Sequence, residues 1–145
     1  MEAKNDKLQI LTWVIDGQLY GADIRFCFEV QNSIQIVDVP HSKEYIAGIV
    51  NLRGDVVTVL DLLVLMGQKE KAFNGRSVII RLKMNEKQVA IKAESISEVI
   101  EISHSSLEPA SQHLSGKELN YIPHIAYTNL GLILLLNVEE LFIVK

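Results

Sequence analysis

Sliding this sequence along itself returns two matches in the same order, and that internal near-repeat constrains the fold more than any other feature. At one offset Tyr20-Gly21-Ala22 falls over Val89-Ala90-Ile91, Cys27 over Ile96, and Glu29-Val30 over Glu98-Val99. At an offset seven residues longer, Tyr45-Ile46 falls over Tyr121-Ile122, Ile49 over Ile125, and Val59-Leu60-Asp61-Leu62 over Leu135-Leu136-Asn137-Val138. The extra length falls in the polar stretch Ser103 to Asn120, which reads as a surface connection. A duplicated unit predicts two similar halves packed along a shared apolar seam, with a groove where their surfaces meet.

The units themselves read as β-structure. Leu8 to Ile15 and Gln18 to Ile24 flank Asp16-Gly17, a strong two-residue hairpin signal. Strand-like runs follow at Ser33 to Val39, Ile49 to Leu52, Val56 to Leu60, Ser77 to Leu82, Gln88 to Ala93, Ile96 to Ile102 and Leu132 to Leu136. Short Val- and Ile-rich runs punctuated by Gly, Asn and Asp suit barrels or sandwiches better than alternating helices and parallel strands. Helical signals are confined to Ser42 to Tyr45 after Pro40, Leu62 to Met66 with Asp61 as cap, and Val138 to Ile143. The polar stretch Met1 to Lys7 is expected to be unordered.

A chain of 145 residues, 48% hydrophobic with a formal charge of −4, fits one compact domain. Its 14 basic residues are scattered among 18 acidic ones, with no run able to neutralise neighbouring phosphates, so nucleic-acid binding has no support. No apolar stretch approaches the ~20 residues of a membrane-spanning helix. The first residues carry neither the basic nor the apolar region of a secretory signal, and with Cys27 the single cysteine no internal disulfide forms. A cytoplasmic location is the expectation.

Reactive chemistry finds no residues to carry it. His41, His104, His113 and His124 have no metal-site spacing, so neither a metal nor a cofactor is expected. There is no Gly-x-Ser-x-Gly elbow, and Cys27 sits between two phenylalanines in an apolar run. Asp55 and Asp61 share a strand face but lie roughly 20 Å apart on an extended chain, too far for joint acid-base work on one bond. Gly48 and Gly54 lack the Gly-Lys-Ser/Thr ending of a phosphate-binding loop. A binding module, not an enzyme, is the reading that remains.

Within Tyr45 to Leu62, YIAGIVNLRGDVVTVLDL, Gly48 and Gly54 bracket Asn51-Leu52-Arg53 and suggest a strand entering a sharp turn that holds Arg53. The arginine has two readings, a partner contact or a local pair with Asp55 or Glu29. Cys27 and Val30, and likewise Ile96 and Val99, read either as core or as an apolar docking face.

This segment resembles the signature of CheW-like domains: a Gly, two or three apolar residues, Asn-Leu-Arg-Gly, a strand, then Asp-Leu. YGADIRFCFEV, VAIKAESISEVIEI and the closing GLILLLNVEELF are similar to the family in the same order, so the resemblance covers nearly the whole chain. It implies a mainly β fold of two similar five-stranded, SH3-like barrels with a few short helices. The intertwined halves would span roughly residues 18–75 and 76–137, completed by 8–15 and 138–145. It further implies a non-catalytic adaptor that joins the regulatory domain of a CheA-type histidine kinase to the cytoplasmic signalling tips of chemoreceptors, at membrane-associated arrays but without membrane insertion. A regulatory module of a pathway for type IV pili or development is the second reading. Carried over residue by residue, Ile24, Cys27, Glu29, Gly48, Asn51, Arg53, Gly54, Val78, Ile96 and Val99 are the partner-binding positions. The chain departs from the family pattern at Thr58, where Pro is usual, at Leu63, where Arg is usual, and at Ala93-Glu94, where Val-Asp is usual.

Overall fold

The computed structural model describes residues 6–32, 34–70 and 77–143. The chain is mainly β, with strands β1 (Lys7–Ile15), β2 (Gln18–Asp23), β3 (Cys27–Asn32), β4 (Ile46–Leu52), β5 (Asp55–Leu60), β6 (Val78–Met84), β7 (Lys87–Ala93), β8 (Ser95–Ser103), β9 (Glu108–Pro109), β10 (His124–Thr128) and β11 (Gly131–Leu135). Three helices of about one turn, α1 (Leu62–Leu65), α2 (Lys117–Tyr121) and α3 (Val138–Leu141), sit between and after them.

The strands make two sheets of matching order. One runs β3-β6-β7-β5-β4 and the other β8-β1-β2-β11-β10, with the two-residue β9 added at its end. In each, one parallel pairing joins antiparallel strands: β5 lies parallel to β7, and β11 parallel to β2. The offsets that align Tyr20 with Val89 and Tyr45 with Tyr121 superimpose β2 on β7, β3 on β8, β4 on β10, β5 on β11 and α1 on α3. The first offset also lays β1 over β6. The chain crosses between sheets twice, through the 3₁₀ turn Ile24–Phe26 and at Glu94, so one sheet is the unbroken stretch β3 to β7 and the other joins the β1-β2 hairpin to β8 to β11.

This crossing explains why the strands are apolar on both faces. Along β1, Leu11, Trp13 and Ile15 enter a core shared with Ile80, Leu82 and Ile91 of the other sheet, whereas Ile10 joins Ile102, Ala126 and Ile133 inside its own sheet. Along β6, Ile80 and Leu82 face the shared seam and Ile79 faces Val50, Val57 and Val59. The two-residue alternation of a strand sorts its side chains between two dry layers, which yields continuous apolar runs instead of an alternating pattern. Trp13 is fully buried in the seam and stacks on Tyr20, their ring centroids 6.4 Å apart.

Local chemistry sets the corners. Asp16 and Gly17 both have positive φ, 52° and 78°, and close β1 on β2 as a two-residue hairpin. Arg53 and Gly54, at 54° and 88°, close β4 on β5 in the same way. The Asp61 carboxylate caps α1, accepting the Val64 N–H at 3.2 Å.

Several sequence expectations are corrected. Ser33 lies outside the described residues, and 34–39 is not a strand: Val37 exchanges two 2.9 Å hydrogen bonds with Ile49 and makes a single bridge. Residues 42–45 form successive turns instead of a helix, because the Ser42 hydroxyl and amide both bond to the Val39 carbonyl and hold the chain in a turn there. The second strand ends at Asp23, since Ile24 enters the 3₁₀ turn. The polar stretch 103–120 carries β9 and most of α2, and drops Ala110 into the core. Lys7 already belongs to β1, and residues 1–5 lie outside the described residues.

Candidate functional site

The hairpin at Arg53-Gly54 places a charged network over one end of the core that β3 to β7 enclose. Asn51 orders the turn, its side-chain oxygen accepting the Gly54 N–H at 3.1 Å. Arg53, held at positive φ on the tip, projects a side chain that is 76% exposed, and its Nε donates to Glu29 Oε2 at 2.9 Å. Glu29 stands on β3 directly opposite Arg81 of β6. Arg81 is almost fully buried and spends its fork on three partners: Glu29 at 2.9 Å, Asp55 at 2.7 Å and the side-chain oxygen of Gln88 at 2.8 Å. The fork fits because guanidinium donors diverge in one plane and can serve two carboxylates at once. Gln31 adds a 2.7 Å bond to Glu29. Donation from Gln31, then Arg53, then Arg81 holds the Glu29 carboxyl at a pKa of about 2, against burial acting the other way.

An apolar surround accompanies this charge. The Phe28 ring is 55% exposed and lies under two cations, 5.0 Å from the Arg81 guanidinium carbon and 4.8 Å from Lys83 Nζ. Val30 on the same strand and Val56 beside the turn are also exposed. The site is built to be touched: a fixed anion and an exposed cation among solvent-facing apolar groups.

The ten sequence-selected positions do not form one patch. Glu29, Asn51, Arg53 and Gly54 come together at this corner. Ile24 lies elsewhere, lining a cleft of about 360 Å³ with Leu8, Asp23, Arg25 and His104, next to a second cavity of about 420 Å³ that shares Leu8, Asp23 and His104. Arg25 grips Asp23 there at 2.7 Å. Val99 is exposed on β8, an edge strand of the other sheet, while Ile96 is half-buried against the shared seam. Cys27 is half-buried, with Sγ 3.6 Å from the Asp23 carbonyl, and burial followed by the Asp23 charge pushes its thiol up to about 12. It packs as a small apolar group. Val78 is buried within β6, and Gly48 lies beneath Val37, so both shape the fold around the site.

The sequence reading passed over Arg81 and Phe28. The signal for the first was available: an arginine inside the apolar run Val78 to Leu82 has to find carboxylates, since an unpaired buried charge is not tolerated. Among the described residues no group of three His, Cys, Asp or Glu is placed to hold a metal ion, and no helix is long and apolar enough to cross a membrane.

Residues 9–144 match the family model described as the CheW-like domain. The chain belongs to the CheW-like domain family. Proteins named Chemotaxis protein CheW are similar to this CheW-like chain along most of their length. That of Klebsiella aerogenes is 23% identical over 92% of this chain and 80% of its own, and that of Helicobacter pylori 26% identical over 97% and 84%. Among solved structures, the crystal structure of the scaffolding protein TtCheW from Thermoanaerobacter tengcongensis matches with a TM-score of 0.82 and 28% identity, covering 95% of this chain and 94% of that one. In this CheW-like chain the Asn-Leu-Arg-Gly signature is therefore a two-residue hairpin whose arginine pairs with the glutamate of the Glu-Val signature on β3.

Proposed function

We propose that this chain is a non-catalytic adaptor that couples chemoreceptors to a CheA-type histidine kinase in chemotaxis signalling, working in the cytoplasm at membrane-associated arrays. The observation that carries the reading is the near-complete two-way match to a scaffolding protein, 95% of one chain on 94% of the other. The Glu29–Arg53 corner supports it physically. A cation on a rigid two-residue turn loses little side-chain freedom on meeting a partner's carboxylate or carbonyl, and the exposed Phe28, Val30 and Val56 offer the apolar contact beside it. The kinase regulatory domain is assigned to one of the two surfaces, the Arg53 corner or the edge strand bearing Val99, and the receptor tip to the other.

The mechanism is differential contact. A scaffold shifts a kinase between states only by the difference in its affinity for them, and an array of weak contacts gains strength from multivalency. Calorimetric titration against the regulatory domain of a CheA-type kinase, with Arg53→Ala and Val99→Asp beside the wild type, tests this. The expected result is saturable one-to-one binding that one substitution weakens about tenfold, with circular dichroism unchanged. No binding by the wild type at high micromolar concentration would overturn the kinase half of the proposal.

A further inference from the structure

The internal repeat brings the charged end of one sheet into correspondence with an empty end of the other. Thr12 stands where Arg81 stands, Glu98 where Glu29, Asn129 where Arg53 and Gly131 where Asp55. Arg81 pairs with Glu29 across β6 and β3, whereas Thr12 lies where the register of β1 against β8 shifts, its hydroxyl donating to the Glu98 carbonyl at 2.7 Å and accepting the Glu98 N–H at 2.9 Å. The chemistry differs. Both cations of the first network are missing, and among the described residues neither the Glu98 nor the Glu101 carboxylate meets a cationic side chain. A cavity of about 350 Å³ opens beside Glu98 and Asn129, the positions that match Glu29 and Arg53, and is walled also by Ile100, Glu101, Tyr127 and Leu130. Tyr127 is 57% exposed at its rim, and Val99 is exposed on β8, the strand that carries Glu98, Ile100 and Glu101.

We infer that this cavity is a socket for an arginine side chain of a partner protein, entering between apolar neighbours and pairing with Glu98 as Arg53 and Arg81 pair with Glu29. Three observations select this occupant. The cavity has a volume of about 350 Å³, its charged lining residues are both acidic, and at the matching corner of the other sheet the Arg53 guanidinium pairs with Glu29. Leu130, Ile100 and Tyr127 would cover the aliphatic stem and guanidinium plane, while Glu98 and Glu101 accept the fork. This surface lies apart from the Arg53 corner, on the β8 edge strand that bears Val99, so the inference rests on the proposed adaptor function and specifies the chemistry of its second surface.

The test is an NMR titration of the ¹⁵N-labelled chain with the blocked tripeptide Leu-Arg-Val, up to tens of millimolar, against Leu-Gln-Val. The expected result is saturable shifts confined to residues 98–102 and 127–130, about tenfold weaker with the glutamine peptide, as the loss of a charge-assisted bond implies. Glu98→Gln should remove the arginine preference with the rest of the spectrum unchanged. Asn129→Arg, on an exposed turn, should fill the socket from within and abolish the response, as Arg53 does for Glu29. Equal response to both peptides, shifts elsewhere, or no saturable shift at the highest concentration would overturn the inference.

Discussion

Alanine at position 48 is expected to destabilise the fold by about 3 kcal/mol or more, among the larger effects a single methyl can have. Gly48 has φ of 149°, and a Cβ built on it would lie 2.4 Å from the Val37 carbonyl oxygen and 2.6 Å from the Ile36 side chain. The methyl has to displace the backbone of 36–37, and with it the paired hydrogen bonds between Val37 and Ile49 that cover the edge of β4. Gly54→Ala provides the contrast. Its φ of 88° is also unfavourable, but nothing lies within 4 Å, so the cost is that of backbone conformation alone, about 1 kcal/mol. Urea denaturation read by tryptophan fluorescence measures both, since Trp13 is fully buried in the seam. A Gly48→Ala midpoint equal to that of Gly54→Ala would show that the close approach is not tight.

Replacing Arg81 with methionine is expected to cost about 2–3 kcal/mol. Methionine fills much of the same volume, so the loss is electrostatic: two carboxylates lose their shared cation, and Glu29, only 8% exposed at its side chain, keeps just Gln31 and Arg53. Glu29→Gln in the same chain should restore part of the stability by removing the buried charge that lacks its partner. Acid titration carries the same signature. The folded-state pKa of Glu29 is lowered, from 4.5 to about 2, so its contribution is fully present above 4.5 and disappears as pH falls toward 2. The wild type should therefore lose stability through that window. Arg81→Met should lose it less steeply, because Gln31 and Arg53 still hold part of the shift. Unchanged stability of Arg81→Met at neutral pH would mean that the network contributes nothing net.

How much of this was legible without coordinates depended on whether a signal was local or came from the repeat. The Asp16-Gly17 and Arg53-Gly54 corners announce themselves, because only a few residues tolerate two successive positive φ values. The cap at Asp61 is equally local. β10 has no strong strand pattern of its own in HIAYT, yet the match of Tyr121, Ile122 and Ile125 to Tyr45, Ile46 and Ile49 implies it. The stretch 34–39 misleads because the apolar pair Ile34 and Ile36 is satisfied by packing against Val50, Val57 and Val59 beside a single bridge as well as in a ladder. α2 is masked by its polar composition. At the site, Glu29 and Arg53 are recognisable through the family signature, but their tie to Arg81 is not, since a link between β3 and β6 depends on a pairing far apart in sequence. Val78 and Gly48 carry family signals that the structure turns inward, where they position the surface.

The proposed adaptor role requires one small β protein to hold a kinase and a receptor together. Its most direct test is light scattering on a size-exclusion column, loading the chain with the regulatory domain of a CheA-type kinase and a soluble fragment of a chemoreceptor signalling tip. A single ternary species containing all three is expected, absent when the chain is omitted. Competition between kinase and receptor fragment for the chain, or elution of the chain alone, would contradict it.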